Sequence, residues 1–207
     1  MLEPHELTPP ERKVWDAIST GEVVTLVAGG SECDSAGGAN WGPERSIRGQ
    51  LLSELLAAGK NPQAPPASFL RLRGARITGG LDLEAVTVRC PITLQDCYFD
   101  EDEEVTLREA QVISLRLHGC HLPSLAAEQI ETSSNLELSL GFTATGEVNL
   151  QRAHIGGRLD FRGAVLCNAH GRALTADGLT VEQDMCCSTG FQANGEVRLP
   201  DGQIIKQ

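Results

Sequence analysis

The sequence predicts an all-β solenoid, a four-sided coil wound about six times, with a small α-helical region over its N-terminal end. Three observations predict it. From Phe69 to Leu199 the pattern apolar-x-apolar-x-x-small-x-apolar recurs about every 11 residues. It reads Leu70-x-Leu72-x-x-Ala75-x-Ile77, Leu81-x-Leu83-x-x-Val86-x-Val88 and Ile92-x-Leu94-x-x-Cys97-x-Phe99, and later Val148-x-Leu150-x-x-Ala153-x-Ile155. A fixed period decides architecture before any single residue does. Apolar residues of equal phase, such as Leu72 and Ile77, lie five apart. That spacing shares no face on an α-helix and gives opposite faces on a continuous strand. A chain that turns a corner every five residues points both inward; two such units and one extra residue make the period, and two periods make one coil. Finally, only 4% of residues are aromatic, so Leu, Val, Ile and Ala must fill a thin, regularly stacked interior.

The elements follow in order. Residues 1–60 lack the repeat and form a helical N-terminal capping region. Thr8-Pro-Pro-Glu11 is a capping-box pattern with proline in the first turn. Val14, Trp15 and Ile18 mark one apolar face of the helix it opens, and Gly21 ends it. Glu22 to Val27 is β-prone, and Ala28 to Trp41 reads as a long loop. Pro43 opens a second helix over about 43–58, with Ile47, Leu51, Leu52, Leu55 and Leu56 on its apolar face and Gly59 at its C-terminus. This helix suits the cover that an open solenoid end needs. Residues 61–68 are a Pro-rich linker, and 69–207 form the coil. Stacked partners such as Leu94 and Leu117, or Cys97 and Cys120, are 23 residues apart. Two places break the rhythm and predict projecting loops: Asp100 to Glu104, and Asn168 to Arg172. The last coil has no comparable cover, although Ile204 and Ile205 supply one more strand. This predicts either an end-to-end homodimer or a chain that stops before its natural C-terminus.

The net charge of −11 argues against direct nucleic-acid binding and against adhesion to anionic membranes. The seven cysteines are unevenly spaced without a C-x-x-C pair, which favours a reducing cytoplasm over a disulfide framework. No transmembrane segment and no N-terminal signal is expected, since Glu3, His5 and Glu6 interrupt any early apolar run. No two of the 22 glycines are separated by a single residue, so G-x-G-x-x-G is missing, as are the P-loop, G-x-S-x-G and H-E-x-x-H. No catalytic residue, cofactor or metal is predicted. His118-Gly-Cys120-His121 offers zinc-type ligands. The repeat phase, however, turns Cys120 inward and both histidines outward. Cys186 and Cys187 are adjacent and point to opposite faces of a strand.

The five-residue phase, with Leu or Phe at one inward position and Ala or Cys at the other, resembles the pentapeptide-repeat family over about 130 residues. That resemblance implies a right-handed quadrilateral β-helix. It also implies the family's best-known activity, action on DNA gyrase by an acidic rod resembling duplex DNA. Four segments are similar to long actinobacterial proteins labelled membrane-associated oxidoreductases: Leu7-Thr-Pro-Pro-Glu-Arg12, Gly38-Ala-Asn-Trp-Gly-Pro-Glu-Arg45, Leu72-Arg-Gly-Ala-Arg-Ile77 and Ala176-Asp-Gly-Leu179.

Residues 70–207 carry 12 basic and 19 acidic side chains, and the acidic corner alone supplies five of the latter. A uniform DNA-like surface is not indicated. The reading that results is a non-enzymatic protein-binding scaffold with a protein partner of unknown identity. The alternatives are an acidic DNA mimic acting on gyrase or another DNA-binding protein, and an oxidoreductase. The candidate contacts are the acidic corner (Asp100, Glu101, Asp102, Glu103, Glu104), an arginine-rich band (Arg152, Arg158, Arg162, Arg172), and Trp41, which either anchors a partner or pins the N-terminal region to the rod.

Overall fold

The computed structural model describes residues 2–27, 35–57, 61–100 and 104–205. Four rows of short parallel strands wrap one apolar core. The first side holds seven strands, from Val24–Thr25 through Leu70–Arg73, Ile92–Gln95 and Leu115–His118 to Met185–Cys186. The fourth holds six, from Thr87–Val88 to Gln203–Ile204. The second and third sides merge into one 11-stranded sheet, because the strand Val165–Thr175 runs through both. The chain is thus a parallel solenoid of about six turns. Leu72 pairs with Leu94 and Leu94 with Leu117, in the register that the repeat predicts.

The corners come in two kinds. At most corners between the first and second sides, and between the third and fourth, one residue takes a left-handed conformation immediately before an inward residue. Gly74 (φ 70°), Ala85 (53°), Asp96 (51°), Glu109 (55°), Gly119 (61°), Gln129 (56°) and Arg152 (55°) all do so. That single reversal lets the residues on either side, such as Leu83 and Val86, both face the core. The remaining corners are looser and absorb changes in length. From inward Ile77 to Leu81 the step is four residues, from Phe99 to Val105 six and from Leu166 to Leu174 eight. Both large insertions therefore fall on one edge, between the second and third sides. The second is not a loop, as its composition suggests: Val165–Thr175 pairs with Gln192–Arg198 through two register shifts, so the excursion is a β-ladder.

Leu140 stands where the neighbouring coils have Gly119 and Gly163, at φ 57° and 70% exposed. A left-handed L-residue costs about 1–2 kcal/mol. Glycine there adds back roughly 0.5–1 kcal/mol of chain entropy. Leu140→Gly is therefore expected to raise the unfolding free energy, by up to about 1 kcal/mol in urea titration. A lower midpoint would contradict the corner argument.

The core fills by exchange of volume between neighbouring positions. The corner and side residues pair as Cys97 with Phe99, Cys120 with Leu122, Phe142 with Ala144 and Ala164 with Leu166, all 0–1% exposed. Wherever one position is large, its neighbour is small, so each coil encloses a similar volume.

The N-terminal region builds part of a further coil. Helix α1 (Pro9–Ala17) starts at the expected capping box of Thr8 and Glu11. Val24–Thr25 then pairs with Leu72 and Arg73, and Ser46–Arg48 with Arg76–Thr78. Helix α2 (Gly49–Leu56) lies where a third strand would be, against Leu81–Asp82. The helix expected over 43–58 is thus shorter. Pro43–Arg45 is a 3-10 turn and Ile47 is a strand residue stacked on Ile77. A strand running straight into a helix mimics helical spacing between Ile47 and Leu51. Gly49 permits the join, since a Cβ there would sit 1.5 Å from the Gly80 carbonyl oxygen. Gly59 lies outside the described residues. The loop expected over 28–41 contains a 3-10 turn, Ser35–Asn40; residues 28–34 lie outside the description.

An ion pair ties α1 to the strand Ser46–Arg48. Glu11 is 1% exposed and accepts hydrogen bonds from the backbone N–H groups of Thr8 and Arg48 and from the Arg48 guanidinium at 2.7 Å. Burial would raise its pKa, but these donors outweigh burial and hold the carboxyl below its ordinary value.

Candidate functional site: the outer faces of the coil

With the inward positions committed to packing, chemistry must come from outward side chains. Asp100 and Glu104 flank the acidic corner; Glu101, Asp102 and Glu103 lie outside the described residues. Asp100 accepts from Arg76 Nε at 2.7 Å, and Arg76 Nη1 in turn donates to the Ala39 carbonyl at 2.9 Å and the Trp41 carbonyl at 3.4 Å. Glu104 accepts from Arg108 at 2.9 Å. The fold thus links two candidate contacts, Asp100 and Trp41, through one arginine.

Trp41 belongs to a strap that crosses the second side. The Arg45 guanidinium lies 3.3 Å over the Trp41 ring, and Arg45 Nε donates to the Gly74 carbonyl at 2.7 Å. Ser35 Oγ donates to the Gly119 carbonyl. Between them Gly38 rests on Tyr98, where any Cβ would fall 2.1 Å from the Tyr98 Cβ. Tyr98, the chain's one tyrosine, points outward yet is only 2% exposed, because the strap covers it. Its ring stacks on His121 at 5.4 Å and 10°.

The four arginines do not form one patch. Arg152 occupies a left-handed corner between the third and fourth sides. Arg162 lies beyond the first side, where its Nε donates to both oxygens of Asp160 at 2.9 Å. Arg158 precedes that side, its backbone N–H donating to Asn135. Arg172 sits on the β-ladder excursion, 3.7 Å from Glu196. It shares its edge of the rod with the acidic corner rather than with the other arginines.

On the first side Asp96, Glu137 and Asp160 are each paired with an arginine. Glu137 accepts from Arg116 Nε at 3.1 Å and Asn135 Nδ2 at 3.1 Å, and lies 2.8 Å from His118 Nε2. Burial would raise Glu137, but Asn135, His118 and Arg116 together hold it low; Asp160 is lowered against its burial by Arg162. His118 and His121 thus face outward to different partners. Cys120 is fully buried on Cys97, and burial pushes its thiol well up. Among the described residues no three His, Cys, Asp or Glu side chains gather at metal-binding distance. No described helix is long and apolar enough to cross a membrane.

The fourth side carries an open trough of about 510 Å³ across the first four coils. One wall is a ladder of outward side chains, Thr87, Gln111, Glu131 and His154, and the other is formed by Arg89 and Ile113. Ser133 and Gly156 continue the second wall with almost no side chain, which opens it. Sequence reasoning missed both this trough and the Tyr98–His121 stack. Its only signal was the polar residue immediately before each inward Val88, Val112, Thr132 and Ile155.

These features define the class: a parallel β-solenoid with a strapped and capped N-terminal end and faces of distinct charge. No protein-family model matches the sequence, and neither a curated protein nor a solved structure matches it.

Proposed function

We propose that this protein is a non-enzymatic scaffold that binds a protein partner on the outer faces of its coil. The division of labour between side chains carries this reading. Inward positions are packed and nearly dry, while outward ones form flat sides that differ from one another in charge. The third side and its corners present Asp82, Glu84, Glu109, Glu128 and Glu147 around Arg108, whereas the charges of the first side are largely matched in place. A partner with a basic surface fits the third side, and the neighbouring acidic corner extends it. Affinity capture from the native host, with mass spectrometry of what is retained, tests the reading. A specific protein that is lost on neutralising residues 100–104 or on raising salt supports it. Capture of no protein at low salt contradicts it.

The same acid excess favours a second reading, a DNA mimic directed at gyrase or another DNA-binding protein, in keeping with the resemblance to pentapeptide-repeat proteins. A change in gyrase supercoiling at micromolar protein supports it, and an unchanged assay removes it. The proposal also includes association of two copies through the last coil, whose Val197, Leu199 and Ile204 are 42%, 40% and 51% exposed. A monomeric mass by light scattering at high concentration contradicts that part.

A further inference from the structure

We propose that the trough on the fourth side binds a short extended peptide segment that presents a carboxylate at one end and an ammonium group about three residues away. On the first side Asp96 is held by Arg73, Glu137 by Arg116 and Asp160 by Arg162. Arg89 is exposed at one end of the trough and makes no ion pair or hydrogen bond with the described residues. Glu131 is exposed further along and receives only a 3.4 Å contact from Gln111 Nε2. A free cation and an almost free anion therefore line the same hollow.

Their separation fits a peptide. Arg89 belongs to the first coil and Glu131 to the third, and Glu131 is in register with Gln111 and Thr87. Two strand spacings of ~4.8 Å, offset by two residues of ~3.3 Å, place their backbones about 12 Å apart on a diagonal. An extended chain covers that span in three to four residues at ~3.3–3.6 Å each. The diagonal passes through the second coil between Gln111 and Ile113. Gln111 offers an amide for backbone hydrogen bonds, and Ile113, 38% exposed, offers an apolar contact for a middle side chain. The sequence of functions along the trough is thus cation, amide with apolar contact, anion. A peptide matches it with carboxylate, backbone with apolar side chain, ammonium.

This assignment rests on the scaffold reading in that the rod recognises polypeptide, and it adds where and by what chemistry. The test uses the whole protein, isotope-labelled for chemical-shift titration, with the tripeptide Ala-Val-Ala. The expected result is shifts centred on Arg89, Gln111, Ile113 and Glu131, with binding about tenfold weaker when both peptide ends are blocked. Each exposed ion pair accounts for about threefold of that. Arg89→Gln should abolish the effect of amidating the carboxylate and keep that of acetylating the amine; Glu131→Gln should do the reverse. Both residues are exposed and outside the core, so the variants should fold as the parent does, which their unshifted core resonances verify. Equal affinity of free and blocked peptide, shifts centred on another side, or no shift at millimolar peptide overturns the proposal. Whole-protein capture that persists in both variants, together with a silent titration, removes the trough and leaves the scaffold reading standing.

Discussion

Phe142→Ala is expected to lower the unfolding free energy by about 3–5 kcal/mol, the range for removing a fully buried phenylalanine. The environment sets it at the upper part of that range. Phe142 is 0% exposed and stacks between Cys120 and Ala164, while its neighbour on the second side is Ala144. Truncation leaves Ala144 and Ala164 facing a space that no adjacent large side chain fills, in a coil whose backbone is fixed by hydrogen bonds to the coils on either side. The double variant Phe142→Ala/Ala144→Phe restores the small–large order that Cys97 and Phe99 use. It should recover part of the loss. Urea unfolding of the three proteins checks this, and a double variant no more stable than Phe142→Ala would sink the volume-exchange account.

Glu11→Gln should cost about 2–3 kcal/mol at neutral pH, below the full cost of breaking a buried pair because the Arg48 side chain is 37% exposed. The carboxyl is buried and receives four donated hydrogen bonds, so its loss leaves Arg48 without its anion at the joint between α1 and the strand Ser46–Arg48. The pH dependence has a definite sign. Glu11, Glu54, Glu137 and Asp160 are all held below their ordinary values of 4.5, 4.5, 4.5 and 3.8. Each contributes stability that is present above its ordinary value and lost as pH falls through the lower folded value. Stability should therefore decline below about pH 4.5. The decline should be shallower in Glu11→Gln, which has one fewer carboxylate to protonate. Equal acid slopes would show that Glu11 is no more stabilised in the folded chain than in the unfolded one.

The interior was readable in the sequence because it is dictated residue by residue. An inward position tolerates only apolar side chains, so Leu72, Leu94 and Leu117 announce their own stacking. The capping box at Thr8 and the final strand at Ile204 were equally local and equally legible. The left-handed corners were not. Ala85, Glu109, Gln129 and Arg152 adopt a conformation usually marked by glycine, and the stacked hydrogen bonds of the coil impose it without a sequence signal. Ser46–Arg48 read as helix because a strand entering α2 places Ile47 and Leu51 at helical spacing. The outer faces were legible as composition but not as arrangement. Asp100 meets Arg76 across 24 residues, and Trp41 reaches the same arginine through its carbonyl. Nothing in the local pattern says which outward residues end up together, since outward positions are free to vary independently.

The two kinds of corner separate length from shape. The tight corners hold pitch and orientation, and the edge between the second and third sides takes up the large insertions at 100–104 and 168–172. Residues added along that edge lengthen the chain without turning the coil. Its large insertions are thereby confined to a single line parallel to the axis, while the other edges change by no more than one residue. Foreign segments grafted at this edge, for instance beside Gly79 or Thr145, would be displayed at intervals of one coil on an otherwise unchanged rod.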